Sequence, residues 1–431
     1  MKTILAIVFL IIPVMPCLSQ ETFMDPPSKE ITKIPFTQFT GGVIVFKALL
    51  ENFPDSLNFI LDSGSGGISL DSTTVANLGL SPPEPERLVR GIGGIRKVGF
   101  INNKTLIINQ LIVSNLNFHV IDYEILSALY GERIDGIAGY SLLSRYIVKI
   151  NYEKKILSFW SNGTIKYPKG GYLLHPQINL IPFSMTSVKD AKRKDFRYLL
   201  DIGAGLSTLI SQDYIEDSAF LKSKRKKYLK QGEGIGGKVE MYLTVMKELK
   251  LGPYKFRNVP VNIFDDTYNL LSYPNLGGLI GNEIFRRFNC IINYRNKEIF
   301  LKPNKFYTDP FDYAYSGIEL YLIDGNILIG DIPKGSPADK AGLLAGDEVI
   351  AVNKEFGLSL EELKQSLQGS YLPVKIIIRR NGELMNKTIK IINIVNGKSI
   401  SNQTMSNTFR EGTHIQNQHN SREPISVPPQ K

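Results

Sequence analysis

Four stretches of this 431-residue chain occur twice, in the same order and at a nearly constant offset. "KIPFTQF" (Lys33 to Phe39) returns as "LIPFSMT" (Leu180 to Thr186), and "FILDSGSG" (Phe59 to Gly66) returns as "YLLDIGAG" (Tyr198 to Gly205). "GIGG" stands at Gly91 to Gly94 and again at Gly234 to Gly237. "DGIAGYSLLSRYIVKINYEKK" (Asp135 to Lys155) returns as "GGLIGNEIFRRFNCIINYRNK" (Gly277 to Lys297). Chance could supply one such pair, but not a set of them in register. One domain plan is therefore used twice, and the fold must contain two like units. Each copy reads as β-rich: runs such as "GGVIVFKALL", "KTLIINQLIV" and "EIFLKP" alternate with Gly, Pro and Asn turns. Only "YSLLSRY" and "NEIFRRF" carry helical spacing. Two similar β lobes side by side leave a cleft between them, and equivalent loops can face one another across it.

The repeat decides between three readings of "FILDSGSGGISLD", Phe59 to Asp71. The stretch could present a nucleophilic serine, present a catalytic carboxylate, or end a strand in an ordinary glycine-rich turn. Asp62 has a partner, Asp201, at the same place in the second copy, each after two apolar strand residues and each followed by x-Gly-small. If a pseudo-twofold axis relates the lobes, the two carboxylates can converge on it. Two carboxylates that close share a proton and titrate as a pair. The ionised one can draw a proton from water while the protonated one polarises a peptide carbonyl. The serine reading fails on chain order, because histidine and aspartate precede the serine in the trypsin-like arrangement. Here the first histidine is His119, well after Ser63, and His175 falls between the copies. Both are expected to be structural or exposed.

"LDSGS", "LDIGAG", the two "GIGG" stretches, "DGIAG" and "GLIGNEIF" together resemble the aspartic peptidases, closer to retropepsins than to pepsin but fused in one chain. The resemblance covers roughly residues 33 to 304. It implies a mainly β fold of two retropepsin-like lobes, 33–160 and 175–304, with the active site between them. Asp62 and Asp201 match the catalytic aspartates. Ser63, Gly64 and Ser65, with Ile202, Gly203 and Ala204, match the active-site loops. Ile92, Gly93 and Gly94, with Ile235, Gly236 and Gly237, match the tips of flaps that close over a bound peptide. One position departs: the family places Ser or Thr after each aspartate, and Ile202 has no hydroxyl. Losing one net hydrogen bond costs about 1 kcal/mol, more if its partner stays buried and unpaired. The resemblance thus implies an aspartic endopeptidase acting on peptide or protein substrates, with an inactive or weak bilobal peptide-binding protein as the alternative.

Downstream, "GSPADKAGLLAGDEVIAVN" and its surroundings resemble a PDZ domain of the bacterial kind attached to exported peptidases, over residues 311–394. "LSLEELKQSLQ" supplies the peptide-flanking helix, and Tyr315, Ser316, Gly317 and Ile318 match the carboxylate loop. Such modules take an extended segment or a C-terminus as an added strand. The PDZ domain offers no candidate for the chemistry, so it is expected to be separable from it.

Composition excludes several classes. Lys2 and the run "ILAIVFLIIPVM" read as a signal peptide ending at residue 19, which implies a periplasmic or secreted protein; lipid attachment at Cys17 fits poorly after Pro16. No later run is long enough for a transmembrane helix. With two cysteines and four scattered histidines, no metal site is expected, and no cofactor. The net charge of +10 comes partly from "KSKRKKYLK", Lys222 to Lys230, read as a solvated face because no nucleic-acid motif accompanies it. A monomer is expected. Residues 396–431, rich in Asn, Ser, Gln and Pro, read as a disordered tail.

Overall fold

The computed structural model describes residues 25–82, 87–368 and 373–396. The signal peptide expected at 1–19, Cys17 and the expected tail after Asn396 lie outside the described residues.

The protein is mainly β, and the internal repeat is a repeat of topology. In the first lobe the sheet runs Thr37–Gln38, Ile44–Leu50, Ser56–Leu61, Gly136–Ala138, Ile68–Asp71, Leu111–Ile121 and Phe100–Ile108. It closes on itself where Ile44–Leu50 also pairs with Phe100–Ile108. The second lobe repeats this with Gln177–Ile178, Pro182–Lys189, Arg193–Leu200, Gly278–Ile280, Thr208–Ser211, Tyr254–Phe264 and Gly237–Leu251. Its closure joins Pro182–Lys189 to Gly237–Leu251.

At the centre of each lobe lies one short strand between two others. Gly136–Ala138 runs parallel to Phe59–Leu61 and antiparallel to Ile68–Leu70. Gly278–Ile280 does the same with Tyr198–Leu200 and Thr208–Ile210. Both central strands are buried throughout, and so is Ile68–Asp71. That is why the two central strands carry no polar residue, while Ser69 and Asp71 are buried with hydrogen-bond partners.

A third sheet joins the lobes. Its order is Glu30–Pro35, Ile156–Trp160, Ile147–Asn151, Phe288–Asn293, Glu298–Pro303 and Tyr172–Leu174. The lobes meet where Val148 faces Ile292 and Ile150 faces Cys290. Tyr172–Leu174 belongs to this sheet, although it precedes the expected start of the second lobe at residue 175.

Helix content departs from the sequence reading. Tyr140–Leu143 and Asn282–Phe285 are helical but only single turns. Ser72–Asn77 and Gln212–Ser218 are helices that the spacing did not reveal, because caps start them rather than an apolar stripe. The Asp71 carboxylate accepts from the Thr74 N–H at 2.9 Å, and the Ser211 hydroxyl accepts from the Tyr214 N–H at 3.1 Å. A further helix, Glu124–Tyr130, stands only in the first lobe among the described residues.

The C-terminal domain has its own core of Leu320, Val349, Leu363, Ile376 and Ile378. Its sheet runs Leu320–Ile323, Asn326–Ile329, Glu348–Val352, Val374–Arg380 and Glu383–Ile389, so Leu320–Ile323 is an edge strand. Helix Leu360–Leu367 begins with a reciprocal cap between Ser359 and Glu362. The connector is anchored in the lobes by Phe311, whose ring centroid lies 4.1 Å from the buried Arg287 guanidinium. No helix among the described residues is long and apolar enough to cross a membrane.

Candidate active site

Asp62 and Asp201 sit where each lobe's strand ends at the central strand. The Asp62 N–H donates to the Ala138 carbonyl at 3.0 Å and the Asp201 N–H to the Ile280 carbonyl at 2.9 Å. Each carboxylate then turns back on its own loop. Asp62 Oδ1 accepts from the Gly64 N–H at 2.6 Å, and Asp201 Oδ1 accepts from Gly203 at 2.9 Å and Ala204 at 3.1 Å. The two side chains face each other within hydrogen-bonding reach, and both residues are partly buried.

Glycine follows each aspartate at a distance of two because the opposite carboxylate occupies the space of a side chain. A Cβ on Gly64 would stand 2.5 Å from Asp201 Oδ2, and one on Gly203 would stand 2.4 Å from Asp62 Cγ. The glycines are thus part of the dyad's geometry.

Burial raises both carboxyls above the ordinary aspartate range. Asp62 is raised well above 3.8, because the Asp201 charge and their mutual hydrogen bond add to burial. For Asp201 that same bond acts the other way, as do the N–H groups of Gly203 and Ala204. The pair therefore titrates as one unit that keeps a shared proton above the ordinary aspartate range.

One hydroxyl braces the two loops. Ser63 Oγ donates to the Leu200 carbonyl at 2.7 Å and accepts from the Ile202 N–H at 3.0 Å. The reciprocal brace has no counterpart, since Ile202 is buried and packs in the common core of the lobes. Replacing Ile202 with Thr gives up packing worth about 1 kcal/mol. It supplies a hydroxyl whose hydrogen bond is worth about as much. We expect the melting temperature of Ile202→Thr to stay within a few degrees of wild type while peptide turnover rises. A variant that is slower and less stable would show that the pocket is built around isoleucine.

The flap hairpins are Arg87–Gly91 with Gly94–Val98, and Tyr228–Gly234 with the start of Gly237–Leu251. Their tips cross over the dyad. The Gly93 N–H donates to the Ile235 carbonyl at 3.1 Å, and Arg96 Nη2 donates to the Gly236 carbonyl at 2.8 Å. Ile92 packs with Met241, Leu209 and Leu279 of the second lobe, whereas Ile235 packs with Val43 and Ile60 of the first. Each apolar tip thus buries itself in the opposite lobe.

Beneath the flaps lies a cavity of about 450 Å³ that holds both aspartates. Its walls include Ile60, Leu126, Tyr130 and Leu279. They also include Ser316 to Leu320 and helix residues Glu361 and Lys364 of the C-terminal domain. This corrects the expectation of a separable module. Helix Leu360–Leu367 is pinned to the first lobe: Thr40 Oγ1 donates to Glu361 Oε1 at 2.8 Å, and Lys364 Nζ donates to the Leu129 carbonyl. Within the expected carboxylate loop, Tyr315 turns its hydroxyl to the Leu229 carbonyl at 2.6 Å, and the Ile318 N–H bonds Ser316 Oγ.

Tyr130 escaped the sequence reading. Desolvation pushes its hydroxyl pKa up, and the charges of Asp62, Asp201, Glu319 and Glu361 add to this. The run around it, "EILSALYGER", carries no motif that singles its tyrosine out. Of the histidines, His119 is half-buried against Phe100, with ring centroids 4.8 Å apart, and stands outside the cavity lining. Among the described residues, no group of His, Cys, Asp and Glu is arranged to hold a metal ion.

Compared with known proteins, residues 54–142 and again 186–284 match the family model for aspartyl proteases, and residues 328–380 match that for PDZ domains. The two aspartyl protease segments contain Asp62 and Asp201 with both flap tips; the PDZ match begins after Tyr315–Ile318. No curated protein matches the chain.

Proposed function

Since the chain is two retropepsin-like aspartyl protease segments followed by a PDZ domain, we propose that it is an aspartic endopeptidase that hydrolyses peptide bonds in the cleft between its lobes. The observation that carries this is the facing pair Asp62 and Asp201, one from each repeat, beneath two flaps whose tips touch. A water held between the carboxylates gives its proton to Asp201 as its oxygen bonds to the scissile carbonyl carbon. Asp62 gives its proton to the carbonyl oxygen, forming a tetrahedral diol. The C–N bond then breaks as the nitrogen takes the proton from Asp201, and the diol proton returns to Asp62. Glycine loops and flap backbone orient the extended substrate, which needs no further chemical group for these steps.

The test is cleavage of a fluorogenic peptide library across a range of pH. A bell-shaped profile of kcat/KM is expected, because the pair must hold one proton. Its alkaline limb should lie well above 3.8, the ordinary aspartate value, because burial and the nearness of the two carboxyls raise the pair. A transition-state mimic with a hydroxyl in place of the scissile carbonyl should block turnover. A second reading, a peptide-binding protein without turnover, is favoured by the missing hydroxyl at Ile202. Saturable peptide binding with no cleavage at any pH would establish it.

The apolar run after Lys2 supports an exported enzyme, periplasmic or secreted. A mature N-terminus just after Ser19 in the exported fraction is the expected result.

A further inference from the structure

The second flap is held by the PDZ domain at its base and near its tip. At its base, Tyr228 packs against Tyr315 with the rings tilted by 46° and their centroids 4.9 Å apart, in an apolar cluster shared with Val245 and Ile394. One residue on, the Leu229 carbonyl accepts from the Tyr315 hydroxyl at 2.6 Å. Near the tip, Glu233 Oε1 accepts from the Tyr321 hydroxyl at 2.8 Å, and Lys238 Nζ pairs with Asp331 Oδ2 at 2.8 Å. Glu233 and Lys238 face each other across the hairpin, two positions before and two after the Ile235–Gly236 turn. Both edges of the flap are therefore tied down beside the residues that touch the first flap.

The same domain is tied to the other side of the cleft. Edge strand Leu320–Ile323, which carries Tyr321, packs along helix Glu124–Tyr130 of the first lobe. Helix Leu360–Leu367 meets the end of that helix through Lys364 and Leu360, the latter against Gly131. A second flap that lifts to admit a peptide must break these contacts or carry the PDZ domain with it.

From this we propose that Tyr321 and Asp331 are positioning residues of the peptidase. They set the second flap over the dyad, and substrate enters and product leaves through a joint movement of that flap and the PDZ domain. The kinetic part rests on the peptidase reading; the structural part does not. Asp331 and Lys238 are both about half exposed, so their ion pair alone holds little. The tyrosine contacts and the shared apolar cluster give the latch its geometry, and the charged pair fixes its register.

The test uses the full chain with Tyr321→Phe and Asp331→Asn combined, which keeps side-chain size, removes the tyrosine's hydrogen bond and strips the ion pair of its charge. Amide exchange at residues 228–240 is expected to speed up about tenfold, with residues 87–91 unchanged. KM for a fluorogenic peptide should rise several-fold with a smaller change in kcat, because flap closure is weakened while the dyad is untouched. A charge exchange supplies the second arm: Lys238→Asp and Asp331→Lys should each speed exchange, and the two together should restore it. Unchanged exchange at 228–240 in all these variants overturns the proposal. A wild-type protein that shows the exchange pattern but cleaves nothing would overturn the peptidase reading and leave the latch standing.

Discussion

Asp62→Asn and Asp201→Asn are each expected to lower kcat/KM by about 10³-fold or more, because the members of a catalytic unit fail together. Neither change should unfold the protein. Asparagine keeps the size of the side chain and can still accept from the glycine N–H groups. The stability readout has a definite sign. Burial raises the Asp62 pKa above its unfolded value, so the folded chain holds that proton more tightly than the unfolded chain. Its contribution to stability is complete below 3.8 and is lost as pH rises through the folded value. Asp62→Asn removes that loss. Its melting temperature relative to wild type should therefore climb between about pH 4 and pH 8. Inactivity combined with this rise marks a strained catalytic group. Normal cleavage by either variant would remove the dyad assignment.

The second large effect is expected from the smallest change. Gly64→Ala and Gly203→Ala each place a methyl group within 2.5 Å of the opposite aspartate's side chain. Atoms cannot remain at that distance, so the carboxylates must part. Misplacing a reacting group by about 1 Å can cost 10²-fold in rate, and we expect at least that loss. Moving apart also weakens the mutual interaction by which the pair keeps its shared proton. The alkaline limb of the pH profile should therefore shift downward in these variants. A loss of rate with an unshifted limb would mean that the methyl groups obstruct substrate and leave the pair intact.

The repeat made the dyad legible. Asp62 and Asp201 follow equivalent strands, and the structure brings them together because those strands end at equivalent central strands. The flap tips were legible for the same reason, although their crossing into opposite lobes was not. Ile92 and Ile235 look alike in sequence, and only the assembled pair reveals that each fills the other's lobe. The capped helices Ser72–Asn77 and Gln212–Ser218 hid because a single capping oxygen starts each one. The role of the PDZ domain was hidden for a deeper reason. Its contacts with the lobes, such as Tyr321 with Glu233 and Thr40 with Glu361, link positions far apart in the chain. No local pattern announces a tyrosine hydroxyl that will meet a glutamate of another domain.

The sheet that joins the lobes has a consequence for how this site behaves in a crowd or in dilution. A cleft assembled from two separate chains comes apart as protein concentration falls, by mass action. Here Ile147–Asn151 and Phe288–Asn293 pair within one chain, so the dyad persists at any concentration. Joining the halves also frees each from copying the other. Ile202 stands opposite Ser63, and one flap is bound to a further domain through Tyr321 and Asp331. A symmetric cleft accepts a polypeptide in either of two equivalent directions. A cleft whose halves have diverged in this way distinguishes them, and so gives its substrate a head and a tail.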